Sequence, residues 1–419
     1  MFPSILRRNL VSLRSAVYGV SNALVFKNVT APAQSQNNLS GSEKSEVQML
    51  LACARTVVDD SQAAKIIALA TEKMDWERLV YLGIGHGVVP LIYRSLNAIR
   101  PAGVPASVLE RLRNEAQGIA GRNVLLATEL LNLLDLLKAN GVSAMPYKGP
   151  ALACQVYGEL RLRSFIDLDI LVRRPDVPKV RNLLAENGYQ PQLKMTAGKQ
   201  RAILRSECDE VFTGTNGRIL EIHWAITPPF FSFQLRTEDL FSRSTTIDLL
   251  GKKVLAPSPE DLLLILSVNG TKDMWNRLEF ICRVAELLYR YPEIRWQSVL
   301  TRARELGADR MLLLGLFLAH HLLGARLPEE VLQRLQRTKI LWSLANQVCE
   351  RLFVRPEDVP SQFELTRFRL RSRERLSDRL TYCFRRALSP TYKDLETVSL
   401  PPSLEFLYPL VRPFRLIRR

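Results

Sequence analysis

Residues 166–172 read Ile-Asp-Leu-Asp-Ile-Leu-Val, a short apolar run broken by two acids at alternate positions. Side chains alternate across a strand, so Asp167 and Asp169 take one face while Leu168 and Ile170 take the other. Their backbones then lie about 6.5–7 Å apart along the strand. Two carboxylates at that spacing can grip a pair of metal ions, which sit about 3.5–4 Å apart in two-metal sites. Unpaired acids in a buried strand are costly, and a cation is the simplest compensation.

A second strand is expected at Arg218–Ile226, joined to one at Glu210–Thr213 by Thr215-Asn216-Gly217, with Asn-Gly as the hairpin signal. Within it, Glu221 and His223 share a face, with Ile222 and Trp224 behind. Magnesium takes hard oxygen ligands, so Glu221 is the third candidate ligand and His223 a supporting or packing residue. Upstream, Tyr147-Lys148-Gly149-Pro150 ends a strand at Val142–Tyr147 and precedes an apolar helical stretch, Ala151–Val156. A glycine at such a turn lets backbone approach a phosphate, and the helix start favours negative charge. Lys148 can pair with a phosphate oxygen, and Arg161 and Arg163 are further phosphate candidates.

Around this segment the pattern is helical. Leu126, Leu130, Leu133, Leu134 and Leu137 fall at amphipathic spacings, ended by Asn140-Gly141. The expected order is a basic, disordered extension at 1–45, a helical region at 46–140, an α/β domain at 141–250, a helical domain at 251–355 and a basic, irregular segment at 356–419. The formal charge of +16 sits mostly at the ends. Residues 1–42 hold four basic residues and no acid, and residues 361–419 hold thirteen against six. A polyanion partner would therefore meet the tails. Six scattered cysteines without a CxxC pair exclude a zinc ribbon and a disulfide scaffold, and fit a reducing, cytoplasmic setting. No stretch reaches the roughly 18 apolar residues of a membrane helix; Met311–Ala319 is stopped by His320 and His321.

Taken together, these pieces resemble the polymerase-beta nucleotidyltransferase superfamily, which places a Gly-Ser or similar turn before a D-x-D strand and a later acid strand. They are most similar to a bacterial family of uncharacterised nucleotidyltransferases in which Lys-Gly replaces Gly-Ser. The matching stretches are His86–Leu91, Tyr147–Gly149, Arg163–Val172, Glu221–Trp224, Pro259–Leu263 and Trp275–Leu278, so the resemblance spans roughly residues 50–415. It implies an α/β domain with a mixed sheet, flanked by helices. It implies magnesium held by Asp167, Asp169 and Glu221, and a nucleoside triphosphate such as ATP whose phosphates meet Lys148, Gly149 and Arg163. The reaction implied is transfer of a nucleoside monophosphate to a small molecule, a protein side chain or an RNA end. The chain departs from the family at Ile166, often a small residue, at Asn269, often His, and at Arg283, often an acid. Two other classes fit parts of the sequence: a catalytically silent nucleotide-binding regulator on the same fold, and a module that binds RNA or a membrane surface through the basic tails.

Overall fold

A computed structural model describes residues 44–193, 196–354 and 359–389. The expected extension at 1–45 lies outside these but for its last two residues. Five helices open the described chain: α1 (Ser45–Cys53), α2 (Asp60–Ala70), α3 (Trp76–His86), α4 (Val89–Ile99) and α5 (Ala106–Ala139). Asp59 and Asp75 cap α2 and α3 by accepting from backbone N–H groups of the first turn. The leucine periodicity belongs to α5, which at 34 residues is about 51 Å long. Its first half buries Val108 and Leu112 among the other helices, and its second half buries Leu126, Leu130, Leu133 and Leu137 against the sheet.

After Gly141 the chain enters the sheet. Strand β1 (Ala144–Pro146) leads into α6 (Gly149–Leu152), which widens into a π-helical turn at Ala153–Tyr157. Then come β2 (Asp167–Val172), α7 (Val177–Glu186), β3 (Gln190–Pro191), α8 (Ala197–Ser206), β4 (Asp209–Thr213) and β5 (Ile219–His223). The spatial order is β1-β2-β5-β4-β3. Only β2 and β5 run parallel; the other pairs are antiparallel, so the sheet is mixed. The Asn216-Gly217 signal does close the β4–β5 hairpin, with Gly217 at φ +72°.

A short helix α9 (Thr237–Ser242) is followed by a hairpin of β6 (Thr245–Leu249) and β7 (Lys252–Ala256), absent from the sequence reading. Its turn residues Leu250 and Gly251 both have positive φ, and it runs across the boundary drawn at residue 250. Six helices then follow: α10 (Pro259–Lys272), α11 (Leu278–Arg290), α12 (Trp296–Glu305), α13 (Asp309–Leu323), α14 (Glu329–Arg337) and α15 (Ile340–Cys349). Among the described residues, no helix is long and apolar enough to cross a membrane. All six cysteines are free thiols.

The core has two parts. One, containing Leu130, Ile170, Val180, Phe212 and Ile222, lies between the sheet and its helices. The other joins both helical flanks: Leu50, Leu79 and Ile92 from the first pack with Leu264, Ile281, Leu314 and Phe353 from the second. The fold is thus a mixed α/β domain set among helices, and the two helical stretches share one apolar interior.

Trp275 centres that interior, fully buried. Gly270 and Gly315 make room for it: a Cβ at Gly270 would lie 2.6 Å from the indole, and one at Gly315 2.9 Å. Packed interiors do not absorb such overlap, so Gly270→Ala is expected to destabilise the protein by about 1–3 kcal/mol. Urea unfolding checks this; an unchanged midpoint would show that Trp275 can shift. The Asn269-Gly270 departure therefore keeps the residue the packing needs.

The segment expected to be irregular after residue 356 contains two helices, α16 (Gln362–Arg371) and α17 (Leu376–Leu388). The Arg-rich stretch 367–379 within it is partly interior. Arg373 is 1% exposed, lies 4.5 and 4.4 Å from the Phe231 and Tyr382 ring centroids, and donates to the Phe231 carbonyl.

Candidate active site

The register of β2 and β5 sets Asp169 beside Glu221, while Asp167 stands one strand period away and outside the close group formed by Asp169, Glu221 and His223. Asp169 lies directly opposite Glu221 on neighbouring parallel strands, and Asp167 lies two residues earlier, opposite Ile219. Two residues is one strand period, so all three acids share a face. The other face of β2 and β5 places Leu168, Ile170, Leu220 and Ile222 in the core.

Asp169 is 2% exposed and anchors the site. Its Oδ1 accepts from Lys148 Nζ at 2.7 Å and pairs with His223 Nε2 at 2.9 Å. The same His223 nitrogen is 3.2 Å from Glu221 Oε2. The ring stands edge-on to Tyr147, with centroids 5.2 Å apart. His223 thus spans two of the three acids, which is the supporting position expected of it. The readable signal was its place two residues beyond Glu221. Asp209, its cross-strand partner on β4, was missed because β4 begins one residue earlier than the apolar pattern suggested.

The turn at Lys148-Gly149 is held by several elements. Gly149 has φ +50°, and a Cβ there would sit 3.1 Å from the Asp167 carbonyl oxygen, so only glycine fits without strain. Arg163 is 6% exposed and donates from Nη1 to the Gly149 carbonyl at 3.0 Å. Its guanidinium therefore braces the turn. Asn123 of α5 donates to the Leu160 and Arg163 carbonyls, both at 2.7 Å, fixing the loop into β2. Arg161 is exposed and pairs with Glu159.

Behind the turn lies a buried ionic cluster. Glu279 of α11 pairs with Arg283 at 2.9 Å and Arg277 at 3.2 Å. Burial pushes its carboxyl up, but Arg283, Arg277 and Arg163 outweigh this and bring it down to about 2. Arg277 also donates to the Gly85 carbonyl, and His86 accepts from Leu278 N–H at 3.4 Å. The sequence stretches around His86 and Trp275 therefore meet at a structural junction behind the site.

The electrostatics of the acid cluster suit a cation. Burial, then the charges of Asp169 and Glu221, push the Asp167 carboxyl up to about 7. Asp169 goes the other way: burial opposes it, but Lys148 and the His223 hydrogen bond hold its carboxyl well below the usual range. Burial works against charging His223, but its hydrogen bonds to Asp169 and Glu221 raise its pKa, so Lys148 and His223 together face three carboxylates and the ionised cluster stays net negative. Ligand atoms of Asp169, Glu221 and His223 lie within 4.8 Å of one another, and the donors are mostly hard oxygens. The residues present therefore fit a divalent metal. Cys208, Asp209 and His223 form a second close group. There the thiol donates to Asp209 at 3.2 Å, and burial followed by Asp209 pushes it well up, so it stays protonated.

A pH dependence follows. Asp167 and Glu210 are both raised to about 7, Glu210 by burial against its pairing with Arg181. A raised carboxyl binds its proton more tightly in the folded state. Its contribution is full below the unfolded value and is lost as pH rises towards 7. In chelator, thermal stability is expected to fall between about pH 4 and pH 7 from these two groups. Melting curves across that range check it, with Glu210→Gln flattening part of the slope. A stability that rises with pH in both proteins would contradict the assignment.

A mixed sheet carrying acids on two adjacent strands beside a Lys-Gly turn, set among helices, is a nucleotidyltransferase architecture. The chain belongs to a family described as uncharacterised nucleotidyltransferase, whose model matches residues 72–324, more than half of its length. No curated protein matches it.

Proposed function

We propose that this protein is a magnesium-dependent nucleotidyltransferase that moves a nucleoside monophosphate from a nucleoside triphosphate to an acceptor, releasing pyrophosphate. The observation that carries this is the pairing of Asp169 with Glu221 across β2 and β5, with Asp167 on the same face.

In this reading Asp167, Asp169 and Glu221 hold the metal. Magnesium bound there offsets charge on the phosphates and lowers the pKa of the attacking hydroxyl. Lys148 and His223 fix the Asp169 carboxylate, which keeps the site in one geometry before substrate arrives. Lys148, at the edge of the acid cluster, also pairs with the triphosphate tail. The Gly149 turn lets backbone approach that tail, and Arg163 holds the turn in place. Glu221 is only partly buried and takes the acceptor's proton as the new oxygen–phosphorus bond forms. The bond to pyrophosphate breaks in the same displacement, and pyrophosphate carries away the charge.

Incubating the full chain with each α-labelled nucleoside triphosphate, magnesium and a cell extract tests the proposal. Label moving to a new species, with pyrophosphate released, supports it and names the acceptor class. Tight nucleotide binding without transfer in every extract would point to a silent regulator.

A further inference from the structure

Helix α17 is turned inside out. Its exposed positions are 376, 377, 380, 383, 384 and 387, one continuous helical face. All are apolar or weakly polar: Leu376, Ser377, Leu380, Cys383, Phe384 and Ala387. Leu376, Leu380 and Phe384 are 68, 62 and 68% exposed, as free as polar surface side chains usually are. The arginines of this helix face the body instead. Arg379 donates to the Arg373 carbonyl, Arg385 to the Pro229 carbonyl, and Arg386 lies over the Phe230 ring at 4.7 Å. Phe363, 75% exposed, starts the neighbouring helix, and Gln362 beside it accepts from Arg386. A contiguous apolar patch rimmed by polar groups marks an interaction surface.

Charge decides the partner. Residues 359–389 hold eight arginines and three acids. Arg369, Arg373, Arg375, Arg379 and Arg385 all donate to backbone carbonyls, of Lys272, Phe231, Arg304, Arg373 and Pro229. A carbonyl accepts the hydrogen bond but does not cancel the formal charge. The apolar face therefore sits in a positive field whose sources are fixed just behind it. An RNA site would turn the guanidiniums outward to reach phosphates. Two copies of this face would bring two positive fields together.

We propose that the exposed face of α17 rests on an anionic membrane surface. Leu376, Leu380 and Phe384 enter the boundary between headgroups and acyl chains, and the arginines behind them attract acidic headgroups. The helix is about 20 Å long and would lie in the plane of the surface. This inference does not rest on the transfer reaction, and the two can fail separately.

Vesicle co-sedimentation of the full chain tests it. The wild type is expected to pellet with phosphatidylcholine vesicles containing about 30 mol % phosphatidylserine, and much less with pure phosphatidylcholine. Leu380→Gln/Phe384→Gln alters only exposed side chains, so the fold is kept, as circular dichroism and melting will check. That variant is expected to bind the acidic vesicles at least about tenfold more weakly. Wild-type protein that stays in the supernatant, or a folded variant that binds equally, would overturn the proposal. So would a wild-type dimer or an RNA complex that the variant abolishes without any vesicle binding. Wild-type binding that appears only after residues 390–419 are removed would instead assign the face to that segment.

Discussion

Asp169→Asn is expected to lower turnover by about three orders of magnitude or more while leaving a folded protein. The substitution keeps size and removes one formal charge. It therefore weakens the metal site and removes the charge that Lys148 and His223 share at one oxygen, although an amide oxygen there can still accept a hydrogen bond. Because Asp169 is paired with those cations, its carboxylate stabilises the metal-free fold, and the variant is expected to melt somewhat lower than wild type. Asp167 behaves oppositely. It carries the repulsion of the cluster, so Asp167→Asn is expected to leave the metal-free melting temperature unchanged or higher, with turnover lost just as fully. Pyrophosphate release and melting curves on both variants check the contrast. Loss of stability in both, or turnover retained in either, would contradict it.

The second large effect lies behind the site. Glu279→Ala would leave the buried Arg283 and Arg163, and the half-buried Arg277, without their shared acid. Breaking a buried pair in this way costs about 3–5 kcal/mol, far more than a surface bridge contributes. The loss should also reach the site, because Arg163 holds the Gly149 carbonyl. The expected result is a lower urea midpoint together with a raised KM for the nucleotide. Glu279→Gln, which keeps shape and hydrogen bonding, should recover part of the stability. A Glu279→Ala protein as stable as wild type would show that the arginines find other acceptors.

What could be read in the sequence was what local periodicity controls. The two-residue repeat in β2 placed Asp167 with Asp169, and the Asn216-Gly217 turn placed Glu221 on a hairpin strand. That β5 would then pair parallel to β2 and set Glu221 against Asp169 is a property of the sheet. The β6–β7 hairpin escaped notice because its turn uses Leu250 at φ +52°, without the Asn or Asp that usually signals such a conformation. Arg163 looked like a phosphate ligand because its neighbours are acids and a strand. Its bond to Gly149, fourteen residues away, depends on how the turn folds back. Nothing local marks Arg373 as interior, because its ring partner Phe231 lies 142 residues earlier in the chain. Long-range packing of arginine against carbonyls and rings leaves no periodic trace.

Manganese binding, followed by the loss of its free electron-paramagnetic signal during titration, tests the carboxylate site most directly. The wild-type chain is expected to bind manganese saturably and to release it to excess magnesium. Asp169→Asn and Glu221→Gln should lose most of that affinity, while Glu210→Gln, on the same sheet but outside the acid cluster, should keep it. Absence of saturable binding by the wild type, or equal binding by all four proteins, would contradict the assignment of Asp167, Asp169 and Glu221 as one metal site.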